Sequence, residues 1–259
     1  MKVRIFSVVG AMLMLTVCSK GSQTNAAPPA ANEPAPTPVP ATSSAAGGTI
    51  SGKIKFTGTA PRNPAIDMSE EAACKAKYKT TPTEENVVAG PANALANVFV
   101  YVKAGVPAGQ TFTAPTTPVV LNQDGCRYHP HVFGIMVNQP LEIKNSDPLL
   151  HNIKAIAKKN RPFNISQPNA GMQTSRTFTA PEVMVNLECN VHGWMKAFVG
   201  VRPDPFFAVS GEDGSFTISG LPPGTYTIEA WHEKLGTQTA TVTIAGTETK
   251  TANLTFAAH

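Results

Sequence analysis

The chain has 259 residues, 42% of them hydrophobic and 15% charged, with a formal net charge of +4. This is the balance of an ordinary folded protein, and so weak a positive charge excludes an electrostatic footprint for nucleic acid.

Residues 1–18 read as an export signal. Lys2 and Arg4 precede an apolar run from Ile5 to Val17 that is too short to span a bilayer but suits a secretory signal. Leu15-Thr16-Val17-Cys18 resembles a bacterial lipobox, which implies lipidation of Cys18 and membrane association through a lipid anchor only. Val17 departs from the small residue of that pattern, and the alternative is cleavage near Ala26 or Ala27. The expected location is outside the cytoplasm, as a periplasmic protein or an outer-membrane lipoprotein of a bacterium. Residues 19–48 are rich in Ala, Pro, Ser and Thr with almost no large apolar side chains, so they cannot bury enough surface to offset their ordering entropy. A disordered tether, extended by its prolines, is expected there.

From residue 49 onward short runs alternate with period two between Gly, Pro, Asn and Asp, which predicts an all-β fold. Ile50–Phe56 and Val98–Val102 read as strands. Met68–Lys77 could form a short helix started by Ser69, with Glu70 and Glu71 in its first turn. Further on, Cys126-Arg127-Tyr128-His129-Pro130-His131 is dense in donor atoms. Past His151 and an alternating apolar run comes Cys189-Asn190-Val191-His192-Gly193-Trp194-Met195. Two imidazoles and a thiolate in a plane, with a weak axial thioether, are what an electron-transfer copper ion takes, and His151, Cys189, His192 and Met195 supply that set. A structural zinc ion wants four firm donors, which a thioether is too weak to complete. The last runs, Gly211–Ile218, Leu221–Ala230 and Ala240–Ile244, read as strands joined by tight turns.

Cysteine use divides cleanly. Cys18 belongs to the signal and Cys189 to the metal, which leaves Cys74 and Cys126 to form a disulfide in an oxidising compartment. The alternative places Cys126 with His129 and His131 in a second metal site. Trp231-His232-Glu233 reads as a packed strand corner held by local hydrogen bonds, or as a carbohydrate or metal site, and the terminal His259 as disordered. There is no nucleophile with a base, phosphate-cradling glycine loop or carboxylate pair, so an enzyme is not expected.

Two resemblances become specific on this ground. The run GEDGSFTISGLPPGTYTIEAWHEKLGTQTATVTI resembles the second half of a carboxypeptidase regulatory-like domain, a transthyretin-type sandwich with D-G-x-F and P-x-G-x-Y signatures. Asp213, Gly214 and Phe216, with Pro223, Gly224 and Tyr226, stand in those positions. ISGKIKF and ANVFVYV are similar to its opening strands. Between the halves, HVFGIMVNQPLEIKNSDPLLHNIKA and MVNLECNVHGWMKAFVGV resemble the two ligand-bearing segments of a cupredoxin, with Asn145, Asp147, His151 and Asn152 at family positions and a loop spacing most like amicyanin. The implied architecture is a cupredoxin Greek-key β-sandwich (107–205) inserted into a transthyretin-like β-sandwich (49–106 and 206–259), with two tandem β-domains as the alternative.

The cupredoxin resemblance implies one copper ion cycling between Cu(I) and Cu(II) in a carrier of single electrons. It also implies that Asn152 ties the His151 loop to the Cys189 loop and donates its backbone N–H to the thiolate. His192 would be the electron door, with one ring edge at the surface among Val191, Gly193 and Trp194, and redox protein partners would dock there. Copper delivery or sequestration, and a surface module binding carbohydrate or protein, are the competing functions.

Overall fold

The structure is a computed structural model that describes residues 47–258. The export signal with Cys18, nearly all of the tether, and His259 lie outside the described residues. The described chain is almost entirely β, with two strands, β1 (Gly48–Thr57) and β2 (Phe99–Ala104), before a middle group of nine. These nine are β3 (Val119–Asp124), β4 (Arg127–His129), β5 (Val132–Met136), β6 (Leu141–Asn145), β7 (His151–Ile156), β8 (Phe163–Gln167), β9 (Gln173–Arg176), β10 (Glu182–Glu188) and β11 (Lys196–Arg202). The last six are β12 (Phe207–Val209), β13 (Ser215–Leu221), β14 (Gly224–His232), β15 (Gly236–Ile244), β16 (Thr249–Thr251) and β17 (Leu254–Ala257).

Strands from the two ends share sheets. β1 pairs with β13 on one edge and with β16 and β17 on the other, while β12, β2, β14 and β15 lie side by side in that order. β3–β11 form two separate sheets, β5-β11-β10-β7-β8 and β4-β3-β6-β9. The first sandwich encloses Ile50, Ile54, Phe56, Val100, Phe216, Ile228 and Phe256, and the second encloses Leu121, Tyr128, Ile135, Ile143, Ile153, Leu187 and Val199.

Local chemistry explains the signature residues of the first sandwich. Asp213 Oδ1 accepts the Ser215 N–H at 2.9 Å, Gly214 takes a φ of 72° that side-chain-bearing residues avoid, and Phe216 then enters the core. Tyr226 sends its hydroxyl back to the Pro222 carbonyl at 2.6 Å, which closes the turn opened by Pro222-Pro223.

β2 is apolar at four successive positions because both of its faces are covered. Val100 and Val102 enter the first core, whereas Phe99 and Tyr101 meet Val132, Phe198, Phe207 and Trp231 between the two sandwiches. On the second sandwich Gly134 of β5 lies opposite Gly200 of β11, and a Cβ on Gly200 would come within 2.3 Å of the Phe99 ring. The two glycines make the flat floor on which Phe99 rests. Beside it the Arg202 guanidinium lies over the Tyr101 ring at 4.6 Å and donates to the Val102 carbonyl at 2.7 Å.

The helix expected over Met68–Lys77 shrinks to α1 (Ala72–Lys75), four residues long. Ser69 does not cap it; its backbone N–H donates to Asp67 Oδ1 at 2.9 Å, which holds a turn ahead of the helix. Ile66, Met68 and Cys74 of this segment pack into the core of the second sandwich, away from the β1 and β2 that flank it in sequence. A disulfide joins Cys74 to Cys126, with their Cα atoms 5.6 Å apart.

Candidate metal centre

Three adjacent elements bring the donors together. β10 pairs antiparallel with both β7 and β11, so the start of β7, the end of β10 and the start of β11 all lie at one end of the sheet. His151 is the first residue of β7, and Cys189 follows β10 directly. The connection from Cys189 to Met195 folds back through hydrogen bonds from Cys189 N to the Met195 carbonyl at 3.2 Å and from Met195 N to the His192 carbonyl at 2.9 Å. The loop before His151 is shaped by Asn145, whose amide donates to the carbonyls of Leu149 at 3.0 Å and Gln167 at 2.9 Å while its oxygen accepts the Asp147 N–H at 2.9 Å.

The ligand atoms of His151, Cys189 and His192 lie within 4.8 Å of one another, and all three residues are buried. Nδ1 of His151 faces Nδ1 of His192 at 3.0 Å, and Cys189 Sγ lies 3.9 Å from His192 Nδ1. Met195 is buried in the same core, next to the loop that carries the other donors.

Two of the three donors, His151 and Cys189, are oriented by hydrogen bonds from behind. His151 Nε2 bonds to Asp147 at 2.9 Å, which leaves Nδ1 to point inward. Asp147 is fully buried and accepts N–H bonds from Gly125 at 2.9 Å and Cys126 at 2.7 Å, with Lys77 Nζ at 3.0 Å. Burial alone would raise its pKa, but the bonds from His151, Cys126, Lys77 and Gly125 outweigh it and hold the carboxyl well below the usual range. Burial also opposes ionisation of Cys189. The bonds from His151 and His192 and from the backbone N–H groups of Asn152 and His192 override that and bring the thiol down to about 5.

Asn152 does join the two loops: its Oδ1 accepts the Asn190 N–H at 2.7 Å and lies 3.3 Å from Cys189 Sγ. The Asn152 amide donates to Asn164 at 2.6 Å, and the Asn152 carbonyl accepts the Tyr128 hydroxyl.

This arrangement fits a copper ion by the chemistry of its donors. Two imidazole nitrogens freed for coordination and a thiol already inclined to ionise are preassembled out of water, and a methionine closes the loop.

One expectation from the resemblance is corrected. His192 presents no edge to solvent, being only 1% exposed. The segment around α1 covers it: Glu71 brings a carboxylate to 3.7 Å from Nε2, and the half-buried Trp194 ring packs against the imidazole with centroids 5.2 Å apart. The Trp194 N–H is fixed to the Cys126 carbonyl at 2.9 Å. Exposed apolar surface near the site is supplied by Val191 and by Leu150, each immediately before a histidine donor. Glu71, Lys77 and Leu150 were not distinguishable by spacing, since what recruits the first two is the fold of a segment more than a hundred residues before the ligand loop.

The other candidate sites are otherwise engaged. The sulfur of Cys126 is in the disulfide, so Cys126, His129 and His131 do not form a donor set. His131 bonds through Nε2 to Glu233 at 2.5 Å and through Nδ1 to the Lys196 carbonyl at 3.1 Å. His232 accepts the N–H groups of Lys234 and Leu235 at 3.2 and 3.3 Å, and Trp231 packs on Phe198.

No curated protein sequence matches the chain. Among solved structures, the chain is similar to a copper-containing nitrite reductase from Thermus scotoductus SA-01 at 24% identity, covering 39% of this chain and 26% of that one, with a TM-score of 0.32. It is also similar to a purple cupredoxin from Nitrosopumilus maritimus at 22% identity, covering 32% of this chain and 97% of that one, with a TM-score of 0.28. An amicyanin variant in its Cu(I) form matches at 18% identity over 40% of this chain and 98% of its own, with a TM-score of 0.29. The chain thus spans about a quarter of the nitrite reductase and nearly all of the purple cupredoxin and the amicyanin. The family model of the carboxypeptidase regulatory-like domain matches residues 199–257, the stretch from within β11 to the end of β17.

Proposed function

We propose that the protein is an exported carrier of single electrons that holds one copper ion at His151, Cys189, His192 and Met195. The observation that carries this reading is the convergence of two imidazole Nδ1 atoms and an ionisable thiol in a buried site where Asp147 already bonds His151 and Asn152 already bonds the Cys189 turn. When bound, copper supplies a one-electron couple between Cu(I) and Cu(II). The residues supply the rest: Asp147 fixes His151, Asn152 fixes the Cys189 turn, and the strand ends hold both in place, so little rearrangement is left for a change of charge at the centre.

Burial of all three donors favours a resident ion over one passed on readily, which places electron transfer ahead of copper delivery. Redox partners would dock where Leu150 and Val191 present apolar surface beside the donors, with the chain held at a membrane by a lipid on Cys18.

Copper added to the purified protein is expected to give an intense visible thiolate-to-copper absorption and a narrow-hyperfine paramagnetic resonance spectrum, with Cys189→Ser abolishing both. A colourless wild-type protein would overturn the reading, and rapid loss of copper to a mild chelator would favour delivery.

A further inference from the structure

Both histidines of the metal centre are approached from outside by one element that belongs to neither ligand loop. Residues 66–78 pack Ile66, Met68 and Cys74 into the second core, fastened by the disulfide to Cys126. Glu71 stands 3.7 Å from Nε2 of His192, a buried nitrogen with no hydrogen-bond partner. Lys77 lies 3.0 Å from one oxygen of Asp147, and the other oxygen holds Nε2 of His151 at 2.9 Å. The far half of the disulfide enters the same arrangement. The Cys126 N–H donates to Asp147 at 2.7 Å, and its carbonyl accepts from Trp194, whose ring rests on His192.

The proximity is close on both sides. Donor atoms of Glu71, Cys74 and His192 lie within 4.8 Å of one another, as do those of Cys126, Asp147 and His151, so one sulfur of the disulfide lies close to each imidazole. We propose that Glu71 and Lys77 are positioning residues of the metal centre, delivered by the Cys74–Cys126 disulfide, and that this segment seals His192 from water while setting both imidazoles from their outer edges.

The physical basis is restraint. A segment with so little regular structure would open readily, and the disulfide removes most of its open states by closing a 52-residue separation. Lys77 compensates a buried carboxylate that would otherwise depend on neutral donors and His151 alone, and so limits how far the His151 ring can tilt. Glu71 is itself 41% exposed, so its part is to close and orient the Nε2 edge, more than to add ion-pair energy.

The test uses the full chain in two states. In the metal-free protein, labelling of Cys189 by a thiol reagent is followed at its own peptide by mass spectrometry. Glu71→Ala is expected to speed labelling about tenfold, and Cys74→Ser with Cys126→Ser about a hundredfold, since labelling follows the open population of the cap. In the copper-loaded protein, Lys77→Met is expected to shift the reduction potential and the hyperfine splitting, and Lys77→Arg to restore both. These copper readouts rest on the function proposed above, whereas the labelling does not. A wild-type protein that takes no copper would therefore sink the function and leave the cap to be decided by labelling. Should the double serine variant fail to fold, Glu71→Ala decides. Labelling rates equal to wild type in a folded Glu71→Ala variant, or an unmoved potential in Lys77→Met, would overturn the inference.

Discussion

Replacing Asp147 by asparagine isolates the group on which the His151 side of the centre depends. The two residues have nearly the same shape, but the amide offers one acceptor oxygen where the carboxylate offers two. Asp147 now accepts from Gly125 N, Cys126 N and His151 Nε2 and faces Lys77, all between 2.7 and 3.0 Å. In Asp147→Asn at least one of these donors must face an NH2 group, which costs about 1–3 kcal/mol for a buried unsatisfied donor. Lys77 loses one counter-charge as well, but its side chain is 38% exposed and keeps Asp124 at 3.1 Å, so this loss adds little to the cost of the unsatisfied donor. His151 meanwhile loses the acceptor that orients it, for which about a 10- to 100-fold loss of metal affinity is expected. Urea unfolding of the metal-free protein measures the first quantity, and copper competition against a chelator of known affinity measures the second. A variant less than about 1 kcal/mol below wild type in stability, with unchanged copper affinity, would refute the reasoning. It would mean that Asp147 is a bystander to His151.

Two further outcomes follow from groups away from the metal. Burial holds His232 down to about 4 from an ordinary 6.5, and its Nδ1 accepts two backbone N–H groups, a role only the neutral ring can fill. Between those two values the unfolded chain binds the extra proton, so stability is full above pH 6.5 and falls as the pH drops toward 4, by about 3 kcal/mol at most. His232→Asn keeps an acceptor that does not titrate and should flatten this part of the pH profile of unfolding; an identical slope in variant and wild type would contradict the assignment. Gly200→Ala places a methyl group 2.3 Å from the Phe99 ring and is expected to cost about 1–3 kcal/mol through overpacking between the sandwiches. Thermal unfolding of Gly200→Ala alone and with Phe99→Leu checks this, since the smaller side chain should recover part of the loss.

How much of this was legible in the sequence depended on whether the signal was local. The ligand loop was, because three donors fall within seven residues and the turn between adjacent antiparallel strands fixes their spacing. Asp213, Gly214, Phe216 and Tyr226 were legible for the same reason, as each acts within a single turn. The extent of α1 was not. Ser69, Glu70 and Glu71 imitate the start of a helix, yet the tertiary contacts of Met68 and Cys74 and the bond from Ser69 to Asp67 override that propensity. The covering of His192 was least legible, for it rests on a contact from Glu71 to a residue 121 positions later, and the expected Cys74–Cys126 pairing does not by itself tell which loop the segment would lie against.

The same non-local logic extends to the first sandwich. β11 begins immediately after Met195, and its later residues, Gly200 and Arg202, are the ones on which Phe99 and Tyr101 of β2 bear. Lys196 at its start is tied through His131 to Glu233, at the corner after β14. The first sandwich therefore grips both ends of the strand that leaves the ligand loop. A strand held at both ends cannot slide in register without breaking the β10–β11 pairing, and that pairing, from Glu188 opposite Lys196, sets the width of the loop that presents Cys189, His192 and Met195. The first sandwich thus acts on the metal centre by fixing the frame of its loop, which requires none of its own side chains to touch the donors.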